Sequence, residues 1–134
     1  MMRSILIGAG QVGGIIGGRL VRAGHDLILC DADIDHVHAI RAAGLRVDLP
    51  DDSFIVKPQI LFPSEVSGKF DLVMIAVRSE GTKGVLDSLA SHLTDDAVVV
   101  SVQNGMNLPQ VADRVGADRA IGAVVRMLSI KIAP

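Results

Sequence analysis

Six residues near the start, Gly8-Ala9-Gly10-Gln11-Val12-Gly13, restrict this chain more than any other feature of it. They follow at once on Ser4-Ile5-Leu6-Ile7, a short apolar run that reads as a buried strand. They lead at once into Val12, Ile15, Ile16 and Leu20, apolar positions at helical spacing, with Gly24 as the stop. Between strand and helix each glycine has its own role. Gly8 makes the tight turn, Gly10 leaves room for a ligand to approach the backbone, and Gly13 lets the helix pack close to the strand. Gly14, Gly17 and Gly18 follow inside the same helix, where each costs about 1 kcal/mol against alanine. Close approach of that helix to a sheet is the plain reason to tolerate them.

The rest of the chain repeats the alternation. Residues 26–30 read as a second strand, and Ile34, Val37, His38 and Arg41 fall on one face of a second helix that Gly44 closes. Leu45-Arg46-Val47-Asp48-Leu49 alternates, Pro50-Asp51-Asp52 turns, and Phe54-Ile55-Val56 returns, with Ile60-Leu61-Phe62 behind; this predicts a small antiparallel hairpin. Strands over 71–77, 97–102 and 120–125 then alternate with helices over 82–93 and 108–115, and 127–132 reads as a further extended segment. The order predicts an α/β fold: one Rossmann-type, doubly wound, mostly parallel sheet with a small antiparallel hairpin insert, filling residues 1–134 as a single domain. The core composition agrees, since the apolar residues are aliphatic, with three Phe and no Trp or Tyr.

That composition also excludes. Without tyrosine there is no tyrosine acid, and with a formal charge of −2, no basic run and few aromatics, nucleic acid is not a partner. The apolar runs are strand-sized, so no membrane span is expected. One cysteine, Cys30, forms no intramolecular disulfide and no metal cluster; it reads as a small core residue in a cytoplasmic protein. The four histidines, His25, His36, His38 and His92, lack spaced carboxylate or cysteine partners and read as surface or structural.

A glycine turn of this kind, opening a helix, suits the pyrophosphate of a dinucleotide. Asp31 lies at the second strand's tip, 18 residues after Gly13, near the spacing of about 20 at which an acid accepts from the adenosine ribose 2′-hydroxyl. The same carboxylate opposes a 2′-phosphate, and no Lys or Arg occurs from Asp31 to His38, which favours NAD over NADP. The competing reading makes Asp31, or Asp33, only a cap for the second helix. Ala76, Val77 and Arg78 end the strand over 71–77 on the rim where open α/β sheets bind ligands. Gln103 and Asn104 end the next. Arg78 suits a pyrophosphate or ribose, or else a solvated strand end. Asn104 suits a ribose or substrate oxygen, or else an Asn-Gly turn.

Three blocks in order, the glycine turn, Phe70-Asp71-Leu72-Val73-Met74-Ile75-Ala76-Val77-Arg78, and Val102-Gln103-Asn104-Gly105-Met106-Asn107, resemble the ketopantoate reductases, the 2-dehydropantoate 2-reductases of pantothenate synthesis. The first block is generic to dinucleotide folds and the Gln-Asn-Gly-Met block is the specific one. The resemblance implies hydride transfer from a reduced nicotinamide to a 2-keto acid, with Gly8, Ala9, Gly10, Gln11, Val12 and Gly13 holding the pyrophosphate. It puts Arg78 where the family usually has Lys, and Asn104 near nicotinamide and substrate. It implies NADPH as the family default, which Asp31 contradicts. It also implies that the catalytic Lys and Glu lie in a helical second domain that would follow Pro134. The 134 residues then bind cofactor without a complete catalytic set, Asn104 being only accessory. An apolar face for that second domain is expected near 106–109 and 127–132, through which two copies could pair. The glycine turn is shared with hydroxyacid, glycerol phosphate and opine dehydrogenases. It also looks like the NAD-sensing regulatory domain of potassium uptake systems, a non-enzymatic alternative that the hairpin and the Gln-Asn-Gly-Met block do not fit.

Overall fold

The computed structural model describes residues 2–104, 106–126 and 129–133. Among the described residues, eight strands and four α-helices follow in chain order: β1 Ser4–Ile7, α1 Gln11–Arg22, β2 Leu27–Cys30, α2 Ile34–Ala43, β3 Leu45–Leu49, β4 Asp52–Val56, β5 Gln59–Leu61, β6 Phe70–Ile75, α3 Thr82–Leu89, β7 Leu93–Ser101, α4 Leu108–Val115 and β8 Ala120–Gly122. Six strands form one sheet in the order β5-β2-β1-β6-β7-β8, with every pairing parallel. The chain therefore starts in the middle, winds outward through β2 and β5, then crosses back beside β1 to wind the other way. That doubly wound order leaves a crevice beyond the carboxyl ends of β1 and β6, where the winding reverses.

Both faces of the sheet are buried, and the strand sequences show why. In β1 all four residues are buried. Ile5 and Ile7 face a core with Phe70, Val73, Leu86, Val99 and Val111, while Leu6 faces another with Leu29, Val37, Ile40 and Val47. α1 lies close over the second face. A Cβ at Gly17 would stand 2.8 Å from Leu29 Cδ2, and one at Gly18 2.8 Å from Val47 Cγ2. The helical glycines thus admit two neighbours, the main sheet and the hairpin, rather than the sheet alone. The hairpin is β3–β4, paired from Leu45↔Val56 to Leu49↔Asp52, with Leu45 and Val47 turned inward.

Several expectations need adjustment. Residues 59–61 do not merely lie behind the hairpin; they form β5, parallel to β2 through Ile28↔Gln59 and Cys30↔Leu61. A three-residue strand gives almost no periodic signal. The buried face of α2 is His36, Val37 and Ile40, whereas Ile34 and His38 are exposed. His38 instead meets the edge of the Phe62 ring, and the Arg41 guanidinium lies over its face. The helix expected over 82–93 becomes α3 plus a tighter turn at Ala90–His92, and β7 begins at Leu93. β8 stops at Gly122. Of the extended segment expected over 127–132, Met127 and Leu128 lie outside the described residues, and 129–133 carry no strand.

Candidate functional site

The crevice at the carboxyl ends of the strands has a volume of 790 Å³. Gly8, Gly10, Gln11 and Val12 line its floor; Asp31, Asp33, His36 and Lys131 one flank; Ala76, Val77, Arg78, Val102, Gln103 and Asn104 the other. Nearly every site residue chosen from the sequence therefore meets here. Ala9 and Gly13 support the floor from beneath, both buried.

The floor is built by steric necessity. Gly8 has φ +98°, and a Cβ on it would sit 2.9 Å from Val77 N, so the turn is pressed against the end of β6. A Cβ on Gly13 would lie 1.7 Å from the Gly8 carbonyl oxygen, a position no side chain can share. Gly10 differs: nothing stands within 4 Å of its missing Cβ. α1 begins there without a side-chain cap and without an acid in its first turn. Its first N–H groups have no carbonyl within the helix to bind, and the positive end of the helix dipole adds to their pull on an anion. α2 makes the contrast, because Asp33 caps it by accepting from His36 N at 3.1 Å.

Of the two capping candidates, Asp33 is thus the cap. Asp31 serves a different purpose, since its Oδ2 accepts from Ala9 N at 2.8 Å and its Oδ1 from Asp33 N at 2.9 Å. One carboxylate ties the glycine turn to the tip of β2, and Asp31 also lines the crevice. A feature no local pattern signalled stands beside it. Lys131, 98 residues along the chain from Asp33, reaches Asp33 Oδ2 at 3.3 Å. Asp33's carboxyl is held below the usual aspartate range, first by the His36 backbone N–H and then by Lys131.

The opposite flank is a chain of directed hydrogen bonds between two loops. Ser101 Oγ donates to Gln103 Oε1 (2.8 Å); Gln103 Nε2 donates to Val77 O (2.9 Å) and Thr82 Oγ1 (2.7 Å). Thr82 Oγ1 donates to Asn107 Oδ1 (3.3 Å), and Asn107 Nδ2 donates to Ser79 Oγ (3.1 Å) and Asn104 O (3.0 Å). Ser79 Oγ also donates to Asn104 O, at 2.8 Å. Both donors of the Gln103 amide are used, so this side chain joins the β6–α3 and β7–α4 loops rather than reaching into the crevice. Thr82, Ser79 and Asn107 escaped sequence reasoning, since they belong to different loops and share no spacing. Arg78 is exposed on the rim, without an ion pair among the described residues, and Asn104 is exposed beside it. Gly105, in the Gln-Asn-Gly-Met block, lies outside the described residues.

Cys30 sits away from this chemistry. It is 1% exposed and lines a separate, largely apolar cavity of 350 Å³ on the α3 side of the sheet. Burial, and then the charges of Asp31 and Glu65, push its thiol up to about 11, so it is an inert core group.

Comparison with known proteins adds to this geometry. Residues 5–134 match the family described as Ketopantoate reductase PanE/ApbA. The 2-dehydropantoate 2-reductase of Pyrococcus abyssi (strain GE5 / Orsay) is 34% identical over 134 residues, which is 99% of this chain and 43% of that protein. A crystal structure of a PanE/ApbA family ketopantoate reductase from Ralstonia eutropha JMP134 superposes with a TM-score of 0.85 at 34% identity, over 98% of this chain and 44% of that one. A ternary structure of D-mandelate dehydrogenase with NADH and anilino(oxo)acetate gives 0.75 at 26% identity, over 84% and 37%. The chain spans about two fifths of the length of such relatives. These matches support the reductase resemblance and give no support to a potassium-uptake regulatory domain. The glycine turn, the doubly wound sheet and a match running from β1 to the last residue agree: the chain belongs to the ketopantoate reductase PanE/ApbA family.

Proposed function

We propose that these 134 residues are the nicotinamide-dinucleotide-binding domain of a 2-dehydropantoate 2-reductase-like oxidoreductase, which transfers hydride to a 2-keto acid. The observation that carries this is the uncapped, acid-free start of α1 facing a crevice with the Asp31 carboxylate on one wall. The residues fit the cofactor. N–H groups at Gly10, Gln11 and Val12 would take the pyrophosphate, Asp31 the adenosine ribose, and Ala76, Val77, Arg78 and Asn104 the nicotinamide half. A bound reduced nicotinamide supplies the hydride; the chain's own contribution is to bind, orient and exclude water. Asn104 is suited to orient a substrate oxygen but is a poor proton source. We assign proton delivery to the further domain that accounts for the relatives' greater length. The exposed apolar residues Met106, Leu108, Ile130 and Ile132 are where we expect it, rather than a second copy of the chain, to pack. We place the protein in the cytoplasm.

For cofactor choice, NAD is favoured. Asp31 opposes a 2′-phosphate, and Lys131 tempers that repulsion only through Asp33. Titration with NADH and NADPH tests the reading. NADH should bind more tightly, and Asp31→Ala should weaken it by about tenfold or more and narrow the gap between the two, because charge-assisted hydrogen bonds are lost. Tighter NADPH binding would reject the preference. No binding of either would reject the function.

A further inference from the structure

We propose that His36 is a positioning residue for the phosphate-binding turn, gripping Ala9 jointly with Asp31 so that the turn is set before any ligand arrives. The inference rests on the nucleotide-binding reading and adds a residue to it. His36 Nε2 donates to Ala9 O at 2.6 Å, on the buried side of the turn. Ala9 N donates to Asp31 Oδ2, Asp33 N to Asp31 Oδ1, and His36 N to Asp33 Oδ1. The four bonds close a circuit, Ala9 to Asp31 to Asp33 to His36 and back to Ala9. Ala9 is thereby held at both its N–H and its carbonyl, with 1% of its surface exposed.

Two physical consequences follow. A carbonyl oxygen directed at a bound phosphate would repel it, and the bond to His36 keeps the Ala9 oxygen engaged on the buried side. The same bond joins the turn to the first residues of α2, so the wall that meets the adenosine and the floor that meets the phosphates move as one body. The imidazole is not there merely to fill space. His36 is 6% exposed and its Nδ1 is buried without a hydrogen-bond partner among the described residues, an expense that an aliphatic side chain would avoid. What the ring provides in exchange is the Nε2 proton.

The test uses the whole chain, with ADP-ribose, which carries the pyrophosphate, and adenosine, which carries none. His36→Leu should weaken ADP-ribose about tenfold, the loss of one buried hydrogen bond, and leave adenosine within about twofold. His36→Gln, whose amide can still donate, should recover most of that loss. Equal losses for both ligands, or none for ADP-ribose, would overturn the proposal. In the ligand-free wild-type protein, ring nitrogen NMR should find His36 protonated at Nε2, with slow exchange at the Ala9 amide. A proton at Nδ1 alone, or fast exchange at Ala9, would overturn it without any variant having to fold. If the wild type binds neither ADP-ribose nor NADH, the cofactor reading falls, and the nitrogen and exchange data still judge the grip.

Discussion

The two flanks of the crevice are built in different ways. Apart from Lys131, the flank proposed for adenosine is made by neighbours in sequence: Gly8 to Gly13, Asp31, Asp33 and His36 all belong to the first βαβ unit and its following helix. Its hydrogen bonds run between backbone groups and charged or aromatic side chains. The flank proposed for nicotinamide joins two loops more than twenty residues apart through neutral amides and hydroxyls alone, from Ser101 through Gln103, Thr82 and Asn107 to Ser79. The first flank is fixed by steric exclusion and a closed circuit of bonds. The second is fixed by a branched set of bonds that hangs on Gln103 at one end and closes on Asn104 O through both Asn107 and Ser79 at the other. A closed circuit tolerates a weakened member better than a single link such as Gln103 to Thr82 does, while steric exclusion tolerates nothing.

Three changes would break or sharpen that contrast. The largest effect is expected from Gly13→Ala. Its Cβ cannot coexist with the Gly8 carbonyl, so α1 must move off β1, and thermal or urea unfolding should show a loss at or above about 3 kcal/mol. A near-neutral result would mean that the turn is looser than its geometry. Next comes Gln103→Ala, which removes the link between Ser101 and Thr82 and takes from the Thr82 hydroxyl its donor. NADH affinity should fall about tenfold while ADP-ribose affinity stays within about twofold, since only the flank proposed for nicotinamide is loosened. Equal losses would show that the flanks are not independent.

Acid should produce the smallest effect. Asp33 and Glu65 have carboxyls held below their usual range, Asp33 by the His36 N–H and then Lys131, Glu65 by the Phe62 N–H and then Arg41. A folded-state pKa that is lowered stabilises the fold fully above the ordinary carboxylate range, and the gain is lost as pH falls through the depressed value. Both groups are exposed, so the loss is modest. Amide exchange below the ordinary carboxylate range should therefore rise around the lowered carboxyls, at 31–36 and 62–65, in the hairpin at Asp48 and Asp52, and on α3 at Asp87, before it rises at Gln103 and Asn107. An earlier opening of the neutral network would contradict this.

The same division explains how much of the molecule is legible in its sequence. The glycine turn, Asp31 and the order of long elements are legible because each is a local pattern: an excluded Cβ, a strand tip at a fixed spacing, or an aliphatic run. β5 is not, being three residues long and paired with β2 only after a helix and a hairpin intervene. The α2 face is misread because its inner side carries a histidine, His36, that apolar periodicity alone does not count. Gln103 stands out as a site residue, but its neighbours in the network do not.

By itself the sequence determined the doubly wound fold and the position of the glycine turn. Backbone sterics and hydrophobic alternation act over a few residues, and a few residues suffice to encode them. Only the tertiary structure decided which polar atoms remain available in the crevice. It engaged Gln103 and the Ala9 carbonyl elsewhere, made Asp33 the cap, and brought Lys131 beside it. A hydrogen-bonding group is satisfied by whatever lies within about 3 Å of it in space, and that proximity is a property of the packed chain.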